Sequence, residues 1–391
     1  MKLIKFILKY KKTFFLLAIA MLVASCVEEI PLESEGFEEA IVIEGSISNE
    51  LKQHEIKLSR VYAIDSTGPS ALSGADIRVI GNSEFVFQES EPGVYVSRDS
   101  FAAQSGVNYQ LQISANGEEY ESTPMQLSGS SSIGVLQANR IDYGGENGVA
   151  ITLNNQSTNE SANYYRYEYV ETFKFTARYY KPIDLVIKDG LPVEVYKTKE
   201  EYTCYRSENS NDIILANTNS LSEDNVNNLL LTFIEGEDPK VALRYSILVK
   251  QYVISRAAYS YYKILDELSN SDNIFSQSQP GYFNGNVKNV NDSNEKVIGF
   301  FDVSSVSDKR IFFNHEDFFD PDDERSYLVS YCPIETPSLP SLIRRLEAGT
   351  VKWFATPLPQ STPYTRFNVV PANCVDCTLL GTNEVPEFWE E

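Results

Sequence analysis

Histidine is almost missing from this chain: His54 and His315 are the only two in 391 residues. That excludes a histidine-rich metal centre, and a Ser/His/Asp triad would need one of the two beside a nucleophile. No G-x-S-x-G, H-E-x-x-H, P-loop or G-x-G-x-x-G segment occurs, so no hydrolase, zinc-protease or nucleotide-binding motif supports catalysis. Base is short as well, with 33 Lys and Arg against 55 Asp and Glu and a formal charge of −22. Such an excess disfavours nucleic acid as a partner, because phosphate contacts need basic patches. Long apolar runs are lacking too: past residue 25 no stretch approaches the roughly 18 residues of a spanning helix.

What the first 25 residues contain is specific. Lys2, Lys5, Lys9, Lys11 and Lys12 precede an apolar run, Thr13 to Val23, followed by Ala24 and Ser25. This is the layout of a secretory signal peptide, too short to span a bilayer. Val23-Ala24-Ser25-Cys26 resembles the lipobox of bacterial lipoproteins, in which the cysteine thiol forms a thioether to a diacylglycerol and becomes the new N-terminus. Lipid attachment at Cys26 is therefore expected, with residues 1–25 removed and the two or three acyl chains of such a terminus giving stable anchoring. Residues 26–40 read as an acidic tether: Glu28, Glu29, Glu33, Glu35, Glu38 and Glu39 come with no Lys or Arg before Lys52. Acids just behind the lipidated cysteine resemble the surface-export signal of outer-membrane lipoproteins in Bacteroidota-type bacteria, so the body is expected to face the cell exterior.

The body reads as mainly β. Tyrosine (24) and phenylalanine (21) join Val, Ile and Thr in its apolar runs, which is strand chemistry. Over 41–127, IVIEGSIS (41–48), HEIKLSRVYAI (54–64), LSGADIRVIG (72–81), EFVFQES (84–90), GVYVSRD (93–99) and NYQLQISANGEEYES (108–122) follow one another at strand-like intervals. Turn residues separate them, including Thr67-Gly68-Pro69, and Asn116-Gly117 marks a tight hairpin. An immunoglobulin-like β-sandwich is expected there. Residues 128–134, Ser/Gly-rich, read as a linker, and 135–391 as a larger β-rich domain with one or two helices.

Within that second region, NYYRYEYVETFKFTARYY (163–180) alternates. Tyr165, Tyr167, Tyr169, Phe173, Phe175 and Tyr179 fall on one face, as core or as a stacking surface, in one long strand or a hairpin bent near Glu171. Ser255 is placed to cap a helix over 256–270, with Ile254 stapling Tyr259. PSLIRRLEAG (340–349) reads as a shorter helix, and KVIGFFDVSSV (296–306) with KRIFFNHE (309–316) as a strand pair. Phe388 and Trp389, near the end of the sequence, are expected to dock on the second domain.

Four cysteines follow Cys26: Cys204, Cys332, Cys374 and Cys377. An even number in an exported chain reads as two disulfides. The local pairing, Cys374–Cys377 with Cys204–Cys332, is favoured; the alternative gives each member of the CVDC pair a remote partner. A zinc or redox role for CVDC lacks two further ligands or a following helix. His54 and His315 read as surface or strand-end imidazoles. The acidic stretch NHEDFFDPDDERS (314–326) offers Asp320, Asp322 and Glu324 as calcium ligands, yet Arg325 stands where an EF-hand needs glycine, so a solvated loop is the leading reading.

Taken together, the lipobox, IVIEGSIS with HEIKLSR, LSGADIRV, SILVKQYVISRAAYSYYKIL, QPGYFNGNV (279–287) with EKVIGFFDVSSVSDKRIFF, and CVDCTLLGTNEVPEFW resemble the lipoprotein family catalogued as domain of unknown function 4249. The resemblance implies an immunoglobulin-like N-terminal part, an outer-membrane address and frequent encoding beside TonB-dependent transporters. It carries no activity, cofactor or catalytic residue. The resulting expectation is a non-enzymatic outer-membrane lipoprotein accessory to such a transporter, with a structural or assembly subunit of another complex as the alternative.

Overall fold

Alternation of apolar and polar side chains sets most of the elements, because a strand buries every second residue. The computed structural model describes residues 40–61, 70–156, 162–218, 226–269, 285–356 and 367–391. Residues 1–25, Cys26, the tether to Glu39 and Thr67-Gly68-Pro69 lie outside the described residues. Among the described residues no helix is long and apolar enough to cross a membrane.

The N-terminal strands are β1 (Ile41–Ser48), β2 (Glu55–Arg60), β3 (Ser70–Ala71), β4 (Asp76–Ile80), β5 (Glu84–Glu91), β6 (Val94–Ser97), β7 (Gln110–Ala115) and β8 (Glu118–Ser122). Next come β9 (Ser132–Tyr143), β10 (Glu146–Gln156), β11 (Tyr164–Thr176), β12 (Ile183–Lys188), β13 (Leu191–Tyr196), β14 (Thr203–Asn209), β15 (Ile214–Asn217), β16 (Leu229–Glu235) and β17 (Arg244–Val253). After the helix Arg256–Ser269 come β18 (Val287–Asn289) and β19 (Val297–Asn314), then a helix Leu339–Glu347, β20 (Val351–Ala355) and β21 (Asn368–Pro371). The chain is mainly β, as expected.

One continuous path of hydrogen-bonded strands runs β14-β11-β17-β19-β1-β2-β6-β5-β4-β7-β8-β18. Its N-terminal stretch rolls around a core of Ile43, Ile47, Ile56, Leu58, Ile77 and their neighbours, which Phe301 and Val303 of β19 complete. The β7–β8 turn has positive φ at both Asn116 (54°) and Gly117 (86°), the conformation that makes Asn-Gly a hairpin signal. The roll closes at Asn286. Its side-chain amide accepts from Phe301 N at 2.7 Å and donates to Phe301 O at 2.8 Å, while its carbonyl accepts from Thr123 N at 2.8 Å. Gly285 beside it has no room for a side chain: a Cβ would lie 1.5 Å from the Gly299 oxygen. Asn286 thus stands in for a strand partner across a gap.

The second core lies between two layers. The three-stranded sheet β16-β10-β9 contributes Leu136, Val149, Ile151 and Leu153, and β11, β17 and β19 contribute Tyr165, Tyr167, Phe173, Tyr245, Ile247 and Phe313. The aromatic face is therefore core from Tyr165 to Phe175, within the single strand β11, and Tyr179, beyond its end, packs half-buried on the cluster around Cys374. The β11 face holds one charge: Glu171 is buried, accepts from Tyr245 Oη and pairs with Lys240 at 2.7 Å. Residues 128–134 cross from one core to the other. Their last residues already belong to β9, and Ser305 Oγ and Lys309 Nζ hold the carbonyls of Gly129 and Gly134.

Two expectations are corrected. KVIGFFDVSSV and KRIFFNHE form not a strand pair but one strand, β19. Nothing between them breaks the backbone, and partners wait on both sides: residues 297–304 pair in parallel with β1, and 305–314 pair antiparallel with β17. The disulfides are Cys204–Cys377 and Cys332–Cys374, not the local arrangement. Cys374 closes one 3-10 turn and Cys377 opens the next, with Asp376 capping the second through Thr378 N. The two sulfurs then serve different clusters, Cys377 in the large second core and Cys374 with Val370 and Val375.

The expected helix is present, with Ser255 Oγ accepting from Ala258 N at 3.0 Å and Ile254 and Tyr259 in one cluster. At the C-terminal end Trp389 packs on Tyr205 (5.0 Å) and Phe312 (5.7 Å); Phe388 keeps one face open and the other under the Arg310 guanidinium at 3.6 Å.

Asn286→Ala leaves the N–H and C=O of Phe301 buried without partners, a loss of about 2–4 kcal/mol. Urea denaturation is expected to shift accordingly, with faster hydrogen exchange at the Phe301 amide; an unchanged midpoint would remove Asn286 as the closure. Peptide mapping without reductant is expected to recover Cys204 linked to Cys377 and Cys332 linked to Cys374. With separations of 173 and 42 residues, the chain-entropy model assigns these links about 5 and about 4 kcal/mol. Recovery of a Cys374–Cys377 peptide would contradict the pairing.

Candidate functional site

Because β19 pairs with β1 and then with β17, a cleft forms on the outer face at the changeover, and the helix Arg256–Ser269 roofs it. Two adjoining cavities, of about 450 and 530 Å³, share Arg166, Glu168, Tyr262 and Leu265 as walls. Alternation explains who faces the cleft: on β11 the odd residues from Tyr165 to Phe175 enter the second core, so Arg166 and Glu168 point the other way.

Arg166 is held from three sides. Its guanidinium lies over the rings of Tyr252 (4.5 Å) and Tyr262 (4.9 Å) and pairs with Glu168. Tyr252 Oη donates to the other Glu168 oxygen at 2.8 Å. Burial opposes the Arg166 charge, but Tyr262, Glu168 and Tyr252 outweigh it, and its pKa rises. Burial, reinforced by Glu168, raises the Tyr252 phenol, and burial raises that of Tyr262. Both phenols therefore stay protonated at neutral pH.

Beneath this group lies Asp302, almost fully buried on β19, with one carboxylate oxygen lacking any partner. Burial pushes its pKa up to about 6, although Arg166 and the backbone amides of Val303 and Ser255 pull it down. Ser255 is the N-cap of the roofing helix, so the acid sits at that helix's positive end.

Chemically the cleft offers aromatic faces, a matched ion pair and amide-bearing side chains from the 209–213 loop, including Asn209 and Asn211. It suits reversible contact with a polar partner. Neither histidine reaches it. His54 is buried, not superficial, with Nε2 3.0 Å from the Phe101 carbonyl; His315 is buried with Nδ1 3.0 Å from the Val241 carbonyl. Among the described residues neither ring meets a Ser hydroxyl or a carboxylate, so no triad is assembled.

The other sequence candidates lie elsewhere. Asp320 and Asp323 spend carboxylate oxygens on their own loop, accepting from Asp322 N and Asp320 N. Among the described residues no three His, Cys, Asp or Glu side chains gather as a metal site, the Asp320, Asp322 and Glu324 set included. Cys204, Cys332, Cys374 and Cys377 are all used in disulfides, and Cys26 lies outside the described residues. Arg166 and Asp302 escaped sequence reasoning. The signal for Asp302 was there, a single acid inside the apolar run VIGFFDVSSV.

The Asp302 carboxyl sets a pH dependence. Its folded-state pKa stands above the unfolded value, so the native state holds the proton longer. Its contribution to stability is full below about pH 4 and declines as pH rises through about 6. Asp302→Asn mimics the protonated acid. Relative to the natural chain it is expected to be neutral near pH 4 and more stable at pH 8, by up to on the order of 3 kcal/mol. Urea melts at the two pH values check this; a difference independent of pH would refute it.

A search of curated proteins finds no match to this chain. Residues 27–310 match the family described as a domain of unknown function, DUF4249. The matched stretch begins directly after Cys26 and ends within β19, taking in the whole N-terminal roll and the cleft but neither Cys332 nor the CVDC turn. With most of its length matched, the chain belongs to the DUF4249 family.

Proposed function

We propose that the protein is a lipid-anchored outer-membrane lipoprotein, facing the cell exterior, that acts as a non-enzymatic accessory of a TonB-dependent transporter in nutrient uptake. The observation that carries this reading is Val23-Ala24-Ser25-Cys26 behind a basic and apolar leader, followed at once by glutamates. A thiol directly behind small residues at the end of such a leader is what lipid attachment requires. The partner follows from the family resemblance, whose members are often encoded beside such transporters. The helix-roofed cleft fits an accessory role: its central arginine is paired with Glu168 and its walls are aromatic and amide-bearing, a surface suited to contact with a partner.

Affinity capture of the tagged protein from detergent-solubilised membranes tests the reading. A transporter barrel is expected in near-equal amount, and Cys26→Ser is expected to move the protein from the membrane fraction to the soluble one. Capture of a different barrel or a filament would point to an assembly subunit instead. Membrane retention of Cys26→Ser would refute the lipid anchor.

A further inference from the structure

A third cavity, about 460 Å³, lies away from the cleft, where the β9–β10 turn, the turn after β16 and the acidic loop 314–326 meet. Its walls carry Glu146, Glu235, Glu237, Asp323 and Glu324, and among the described residues none of these is in an ion pair. The one lysine or arginine there, Arg140, donates to Asn147 Oδ1 and the Phe318 carbonyl and lies 5.0 Å over the Phe319 ring, so one positive charge faces the five carboxylates. Gly236, between Glu235 and Glu237, abuts Phe319 so closely that a Cβ would sit 2.8 Å from its ring.

A second, independent observation concerns His315, which lines the same cavity and is 4% exposed. The partner of Nδ1 is a carbonyl, so Nδ1 carries the proton and Nε2 is left as an acceptor lone pair. That Nε2 has no partner. A buried acceptor without a donor costs stability unless something supplies one. The cavity thus pairs an unfilled acceptor with a rim in which acids outnumber the single arginine.

We propose that this cavity binds an organic primary ammonium group, carried by a free polyamine or by a lysine side chain of a partner. An ammonium has three donors and no acceptor, which suits an open acceptor nitrogen inside a carboxylate rim. A metal ion would need its ligands to converge, and among the described residues they do not. The proposal is independent of the lipid anchor and of the transporter.

Isothermal titration of the purified body with spermidine and with a capped tri-lysine peptide, and separately with calcium and zinc chloride, tests it. Saturable binding of an ammonium probe is expected. Binding of spermidine alone identifies the free amine as the source, binding of the peptide alone identifies a partner's lysine, and either supports the site. His315→Asn keeps a donor toward Val241 and lacks Nε2, so it is expected to weaken binding about tenfold or more. The double variant Glu235→Gln/Glu237→Gln changes only exposed side chains and is expected to weaken it several-fold, which keeps the test valid should His315→Asn fail to fold. Binding that neither variant alters, no binding of either ammonium probe, or uptake of metal alone overturns the proposal.

Discussion

The eighteen-residue strand β19 is shared by two cores that would otherwise be separate bodies. Phe301 and Val303 complete the first, Phe313 enters the second, and the backbone between them is one unbroken ladder. Because side chains alternate at period two, a slip of one residue against either β1 or β17 would turn every one of these groups to the wrong face. Both registers are therefore fixed together. The cleft inherits this constraint, since Phe300 and Asp302 project outward at the place where β19 changes partners.

Acid excess governs the rest of the electrostatics. Few bases are available, and several are gathered among carboxylates: Arg166 with Glu168, Lys240 with Glu171 and Glu208, and Lys352 with Asp184, Glu201 and Asp376. Burial works against the charge on Lys240 and Lys352, yet their acidic neighbours hold both pKa values above the ordinary lysine range. Removing one member of such a group strands a partly buried charge, which is more damaging than the pair is stabilising. Where acids outnumber the bases, as around His315, part of the negative charge is left exposed.

Period-two alternation is a local property, and the elements that depend on it could be read from the chain. IVIEGSIS, the Asn116-Gly117 hairpin, the aromatic face of β11 and the capped helix after Ser255 all stand where their patterns put them. What the chain could not show is which strand meets which. Glu171 falls on the aromatic face by parity, but its partner Lys240 lies 69 residues away, so its burial as an ion pair was not visible. Asn286 gave no sign of closing a sheet, because its target is the backbone of Phe301. The histidines looked superficial for the same reason: their covers, Phe101 and Phe319, come from other segments. For the cysteines, spacing in sequence was a poor guide once two consecutive 3-10 turns sent neighbouring sulfurs to different cores.

The crosslinks lie where burial becomes thin. After β19 the chain adds little to the two large cores, and its own clusters are small. Leu342, Val351, Phe367 and Val369 form one with Leu185 of β12, and Val370, Cys374 and Val375 another. Cores of that size cannot offset the entropy of ordering some seventy residues at about 1–2 kcal/mol each. One covalent link, Cys204–Cys377, and the Lys352 network instead tie this part to earlier strands, while Cys332–Cys374 braces it from within. Cys377 reaches β14 through Cys204, and Asp376, between the two cysteines, meets Lys352 of β20 at 2.8 Å. On this argument the family-matched stretch to residue 310 carries the cooperative core, and the segment beyond it is held to that core chiefly by the Cys204–Cys377 link and the Lys352 ion pairs.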